Sequence, residues 1–97
     1  MAKYIVLVNW TDKGIQAAKE TEQRAEQVRV LAEQMGGHMD LLYWTLGRYD
    51  LVGVWDMPND EAMAALALKV AGGGAVRTEC LRAFTAEDMS GIIASLG

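Results

Sequence analysis

The sequence predicts an α+β domain, a four-stranded antiparallel sheet with two helices packed on one of its faces. Three observations predict it. Short β-branched and aromatic runs alternate with segments of helical periodicity. The two middle runs are separated by little more than Gly47-Arg48. The order of elements also repeats, each strand-helix unit returning by a strand. Residues 1–97 read as a single domain with no linker and no low-complexity segment.

Residues 3–10, KYIVLVNW, have no helical spacing and predict a first strand. Thr11-Asp12-Lys13-Gly14 is a turn or helix-start signal. From Ile15 to Met35, the residues Ile15, Ala18, Ala25, Val28, Leu31, Ala32 and Met35 recur at three and four, as on an amphipathic helix. Lys19 to Glu22 carries nothing apolar on that stripe, so one long helix and a short helix followed by a longer one both fit. Gly36-Gly37 ends the element. HMDLLYWTL, residues 38–46, predicts a second strand and residues 49–57 a third, with Gly47-Arg48 as a two-residue hairpin turn. Pro58-Asn59-Asp60-Glu61 opens a helix, with proline in its first turn and carboxylates against its positive end. Its body, Ala62 to Ala71, is apolar nearly all round and is expected to be buried on more than one side. Gly72-Gly73-Gly74 stops it, and AVRTECLRAF, residues 75–84, predicts a fourth strand. Thr85 and Asp88 form a capping-box pattern for a last short helix with Met89, Ile92, Ile93 and Leu96 on one stripe. Right-handed crossovers then order the strands 4-1-3-2, which is the ferredoxin-like βαββαβ arrangement followed by a C-terminal helix.

Helices that cover one face leave the other face to be explained. Alternation puts Leu42, Trp44 and Trp55 on one side, with Leu41, Tyr43, Val52 and Val54 on the other; Ile5 and Leu7 oppose Val6, Val8 and Trp10. Both faces are apolar, and the chain is 52% hydrophobic. An exposed apolar face of roughly 600–800 Å² is an aggregation liability, so the expected partner is a second copy in a homodimer packed sheet on sheet, with a higher homo-oligomer left open. A net charge of −4 with scattered basic residues argues against nucleic acid. No apolar stretch approaches a membrane span and no targeting segment is visible. The single cysteine, Cys80, cannot form an internal disulfide, which fits a cytoplasmic setting.

Several blocks together resemble the GYD-domain family. Gly47-Arg48-Tyr49-Asp50 resembles the Gly-x-Tyr-Asp motif that names it. Pro58-Asn59-Asp60-Glu61-Ala62 is similar to its helix start, and Val76-Arg77-Thr78 with Leu81-Arg82-Ala83-Phe84 to its last strand. Thr11-Asp12-Lys13-Gly14 and Tyr43-Trp44-Thr45 also match in type and order. The resemblance implies a dimeric α+β barrel in a bacterial family of unassigned activity, and such a fold implies no particular reaction. Asn59, Cys80 and His38 depart from the family pattern.

The candidate chemistry is correspondingly spare. Tyr49 and Asp50 are neighbours on a predicted strand and point to opposite faces, Asp50 as an acceptor of backbone N–H groups or a partner of Arg77 or Arg82, Tyr49 as an amphipathic wall. Thr78, Cys80 and Arg82 share one face of the fourth strand, suited to a carboxylate or enolate pocket or to an interfacial ion-pair network. Cys80 has only Arg82 predictably close and no histidine partner by spacing, and reads as a small buried thiol. His38-x-Asp40 offers two possible metal ligands where a catalytic metal normally wants three, so no metal is expected, and His38 reads as an exposed loop residue. No cofactor is expected either, since Gly72-Gly73-Gly74 ends a helix and does not open one. Three functions remain. One is a binding or assembly protein that holds a small apolar or carboxylate ligand between sheet and helices, lined by Trp44, Tyr49, Trp55, Arg77, Thr78 and Arg82. Another is a cofactor-independent oxygenase- or isomerase-like enzyme acting on a small aromatic or carbonyl compound, with Arg82 or Arg77 holding an oxyanion and Asp50 or His38 moving a proton. The third is a purely structural, oligomer-forming protein.

Overall fold

Each predicted strand finds its place in one antiparallel sheet. The computed structural model describes all 97 residues. Its order is β1 (Ala2–Trp10), α1 (Asp12–Gln16), a 3-10 turn (Ala18–Glu20), α2 (Thr21–Gln34), β2 (His38–Trp44), β3 (Leu51–Met57), α3 (Asp60–Gly72), β4 (Val76–Ala83) and α4 (Ala86–Ala94). The strands lie β2-β3-β1-β4, which read from the other edge is the expected 4-1-3-2. Of the two readings of residues 15–35, the broken one is correct. The stretch without apolar residues on the stripe tightens into the 3-10 turn, and α2 starts after it.

Alternation decides which side chains enter the core. Tyr4, Val6 and Val8 of β1 and Leu51, Trp55 and Met57 of β3 are buried beneath α2 and α3, where they meet Ala32, Met63 and Leu66. Tyr4 carries its phenol to the far end of this layer, where the hydroxyl donates to the Asp60 carboxylate at the start of α3. Burial, reinforced by that carboxylate, pushes the Tyr4 phenol up to about 12. The neutral phenol therefore stabilises the fold fully below its unfolded value near 10, and this contribution is lost as pH rises from there through about 12. A spectrophotometric alkaline titration at the phenolate band is expected to show a late step near 12 that disappears in Tyr4→Phe.

Four expectations need correction. The β2–β3 connection is not a two-residue turn: β2 ends at Trp44 and β3 begins at Leu51, although Trp44 still faces Leu51 and Leu42 still faces Gly53. Asp50 is the reason. Its backbone N–H donates to Val8 O at 2.9 Å, and its carboxylate accepts from the Trp10 N–H at 2.9 Å. Its carbonyl accepts from Thr45 N at 2.9 Å, closing the six-residue loop 45–50. Gly47 takes the positive φ, 113°, that the loop requires. Second, α3 is buried along one side only: Met63 and Leu66 face the sheet, while Leu68 is 74% exposed because nothing in the chain covers its outer side. Third, Cys80 is exposed, since β4 is an edge strand that the helices cover incompletely. Fourth, His38 is not a loop residue but the first residue of β2.

Helix starts follow their capping residues. Pro58 precedes the cap instead of entering the helix, and Asn59, the departure from the family pattern, is itself the N-cap: its side chain accepts from the Ala62 N–H at 2.9 Å. Asn59→Ala is expected to lower stability by about 1 kcal/mol, seen as a fall of roughly 4–8 °C in a thermal melt. Thr85 and Asp88 form the expected capping box on α4, each side chain accepting the other's backbone N–H at 3.0 Å. The Thr85 backbone N–H, helped by the Thr85 hydroxyl, holds the Asp88 carboxyl below its ordinary range. Yet α4 makes almost no contact with the rest of the domain, and its stripe of Met89, Ile92, Ile93 and Leu96 is exposed. The molecule is accordingly long, 53 × 30 × 18 Å, with a radius of gyration of 14.6 Å against about 12–13 Å for a compact chain of this length.

Candidate functional site

Between the helix-facing side of the sheet and α2 and α3 lies a chamber of about 370 Å³. Its floor is Val6 and Val8 of β1 with Leu51 and Trp55 of β3; Val28 and Leu31 of α2 and Leu66 and Val70 of α3 form its roof. Gly53 makes the floor possible. A Cβ there would collide with Trp55 Cζ3 and stand 2.6 Å from Cη2, so only glycine lets the indole lie across the sheet. A shallower depression adjoins the chamber at Thr21, Ala25, Met39 and Leu42, rimmed by Trp44. Trp44 Nε1 donates to Thr21 Oγ1 at 2.9 Å, tying the end of β2 to the start of α2.

Two residues of the lining, which also includes Thr21, Gln27 and Thr78, each carry a buried polar atom without a partner. Trp55 is 4% exposed, and its Nε1–H is buried without a hydrogen-bond partner. Arg24 donates through Nη2 to Glu20 at 3.3 Å on the solvent side, whereas its Nη1 is buried and unpartnered. Both residues line the chamber. A buried donor left unsatisfied costs about 1–3 kcal/mol, so the two are a feature to account for. The lining also holds Lys69 and not one carboxylate, in a chain with 13 acidic residues and a net charge of −4.

The residues singled out from the sequence do not form one constellation. Trp55 and Thr78 line the chamber and Trp44 stands at the adjoining rim. Cys80, exposed on its outer side, also lines it; partial desolvation pushes its thiol up, with a smaller opposing effect from Thr78. Arg82, on the same strand face, lies beyond the chamber. Its guanidinium is stacked 5.6 Å from the Tyr4 ring and 4.8 Å from the Phe84 ring, donates to the Lys3 and Ala83 carbonyls, and is 3.9 Å from Asp60. Tyr49 belongs to the 45–50 loop, beneath the Arg48 guanidinium, and its carbonyl accepts from Thr45 Oγ1. Arg77 pairs with Asn9 and occupies the open face, away from the chamber. Asp50 is engaged with the end of β1.

His38 stands at the open face's edge with Asp40 and Asp56, its Nε2 at 2.7 Å and 3.3 Å from their carboxylates. The three donors lie close enough to hold a metal ion. The Lys3 ammonium, however, already occupies the cation's place, 2.6 Å from Asp40 and 3.1 Å from Asp56. Hydrogen bonding to these carboxylates raises the Lys3 pKa, and Lys3 in turn holds the Asp40 carboxyl low.

Arg24 is the site residue that sequence reasoning missed. It sits in the polar part of α2, where an arginine reads as surface. Its signal is its spacing, since Thr21, Arg24, Val28 and Leu31 run at three and four along the face that lines the chamber.

The architecture and chamber together define a small α+β domain with a ligand-sized cavity between its layers. The chain belongs to the GYD domain family, whose model matches residues 4–93. No protein of curated function matches it. Among solved structures it is similar to the protein TTHA0845 of Thermus thermophilus, with a TM-score of 0.57 and 22% identity over 89% of this chain and 96% of that one. At that identity the likeness shows the fold alone. No helix is long and apolar enough to cross a membrane.

Proposed function

We propose that this protein is a homo-oligomeric small-ligand-binding protein with a ferredoxin-like fold, acting in the cytoplasm. The observation that carries the binding function is the chamber of about 370 Å³, within the range of small-molecule sites and walled mainly by apolar side chains. Apolar cavities of about 150 Å³ stay dry and take up apolar guests, so a larger one between two layers is suited to a compact organic molecule. The test is a methyl-NMR titration with small aromatic and aliphatic fragments. Saturable shifts confined to Val28, Leu31, Leu66 and their neighbours are expected. No shift with any fragment would overturn the proposal.

Homodimerisation through the open face is supported by the distribution of its side chains. Ile5, Leu7, Leu41, Val52, Val54 and Leu81 are adjacent across paired strands, with Ile5 opposite both Val54 and Leu81. Lys3, His38, Asp40 and Asp56 rim one end, and Arg77 and Glu79 mark the β4 side. An apolar centre with a charged rim is the anatomy of a protein interface. The exposed stripe of α4 is a second apolar surface that an oligomer would cover.

A further inference from the structure

We infer that α4 is an arm that docks on a second copy of this chain. Across the interface β4 lies over the partner's β4 running the opposite way, which sets Glu87 of each copy against Arg77 of the other. This rests on reading the open face as a homodimer interface and fixes how the two copies are turned.

The first support is that α4 is incomplete alone. It is nine residues long with Gly91 inside it, and so short a helix is marginal in water unless its apolar side is packed. Yet Thr85 and Asp88 cap it fully, and Met89, Ile92, Ile93 and Leu96 line up on one side, exposed, with almost nothing of their own chain against them. Area makes a second copy the occupant. The open face's roughly 600–800 Å² lies in the lower half of the about 600–1,000 Å² that each partner gives to a standard interface. The stripe adds on the order of 200 Å², which lifts the contact to the upper half, and every open face comes with one such stripe.

Charge is the second, independent support, and it decides the orientation. Strands of two sheets packed face to face stay within about 30° of each other, so the two-fold axis runs either along the strands or across them. Along them, β4 lies over the partner's β2 and like ends of the two sheets meet. The first turn of α4, with Glu87 and Asp88, would then face the partner's Asp40 and Asp56, two carboxylates that already share the Lys3 ammonium. Across them, the end of β4 and the start of α4 lie over the start of the partner's β4, where Arg77 stands on the open face. On that face Lys3 and His38 are paired with carboxylates, whereas Arg77 has no ion pair in its own chain. Glu87 is likewise unpaired, while Asp88 is spent on the Thr85 cap. Glu79, exposed on the same edge strand, is left at the rim in water.

The experiment is sedimentation velocity of the full chain, with circular dichroism as the check on fold. Glu87→Arg and Arg77→Glu are each expected to weaken the wild-type dimer about tenfold, since each turns two attractive contacts per dimer repulsive. Mixing the two variants should restore the dimer to within about threefold, because the mixed pair sets opposite charges together at both contacts. Ile93→Asp, on the stripe, should weaken it about tenfold or more by burying an unpaired charge, with the subunit still folded. If these changes leave the dimer as it was, or the mixture is no tighter than either variant alone, the docking of α4 is overturned, and the sheet-on-sheet reading stands as long as the wild type is dimeric. A monomeric wild type overturns both.

Discussion

Gly53→Val is expected to abolish ligand binding in the chamber and to lower stability, although valine is among the best strand formers. Gly53 sits in the middle of β3, between Leu42 of β2 and Val6 of β1, where a β-branched residue would ordinarily strengthen the sheet. Here the added atoms collide with the Trp55 indole and meet Leu42 Cδ1 at 3.1 Å. The indole is 4% exposed and lies against the backbone at Gly53, so it must swing upward into the chamber. Overpacking of this kind costs about 1–3 kcal/mol, or roughly 4–8 °C in a thermal melt for each kcal/mol. Affinity for any chamber probe should fall more than tenfold. A Gly53→Val protein that melts higher and binds unchanged would mean that the indole does not form the floor.

Val54→Lys is expected to dissociate the proposed dimer while leaving the subunit folded. Val54 pairs with Ile5 and Leu41 at the centre of the open face, and it points away from the chamber. In an isolated subunit the lysine ammonium would reach water without strain. In an isologous sheet-on-sheet dimer, each new charge would be buried against its symmetry mate's apolar face with no partner. The dimer dissociation constant should rise about 100-fold or more, near 2.8 kcal/mol at 1.4 kcal/mol per decade. Sedimentation velocity reads the mass and circular dichroism the fold. A wild-type protein that is monomeric at micromolar concentration, or a lysine variant that stays dimeric, contradicts the proposed interface.

The strands, their order and the two long helices were legible because burial writes itself into the sequence as period two or period 3.6. Trp44 opposite Leu51 follows from a hairpin centred on Gly47-Arg48, a centre that the longer loop keeps, and the Thr85–Asp88 box follows from local capping chemistry. What escaped was decided by partners distant in sequence. Asp50 looked like a strand residue, but it is drawn to Trp10, 40 positions away, and that contact opens the hairpin loop and takes Tyr49 out of the sheet. The outer side of α3 looked like core because composition carries no sign of what lies across from Leu68. The site was half legible. Alternation grouped Trp55 with Leu42 and Trp44, and Thr78 with Cys80 and Arg82, without telling which face the helices cover; in the fold Trp55 and Thr78 line the chamber, whereas Arg82 continues past its end to Tyr4 and Phe84. Arg24 was hidden because an arginine beside Glu20 on a polar helix face reads as a surface ion pair, and only the three-dimensional packing buries its second nitrogen.

The most direct test of the ligand chamber is a crystal structure of the protein as purified, with a second crystal soaked in one of the small aromatic fragments. The expected result is density for an organic molecule between Trp55 on the sheet and Leu66 on α3. A chamber that is empty in both crystals, or closed by α2 settling onto the sheet, would contradict the account.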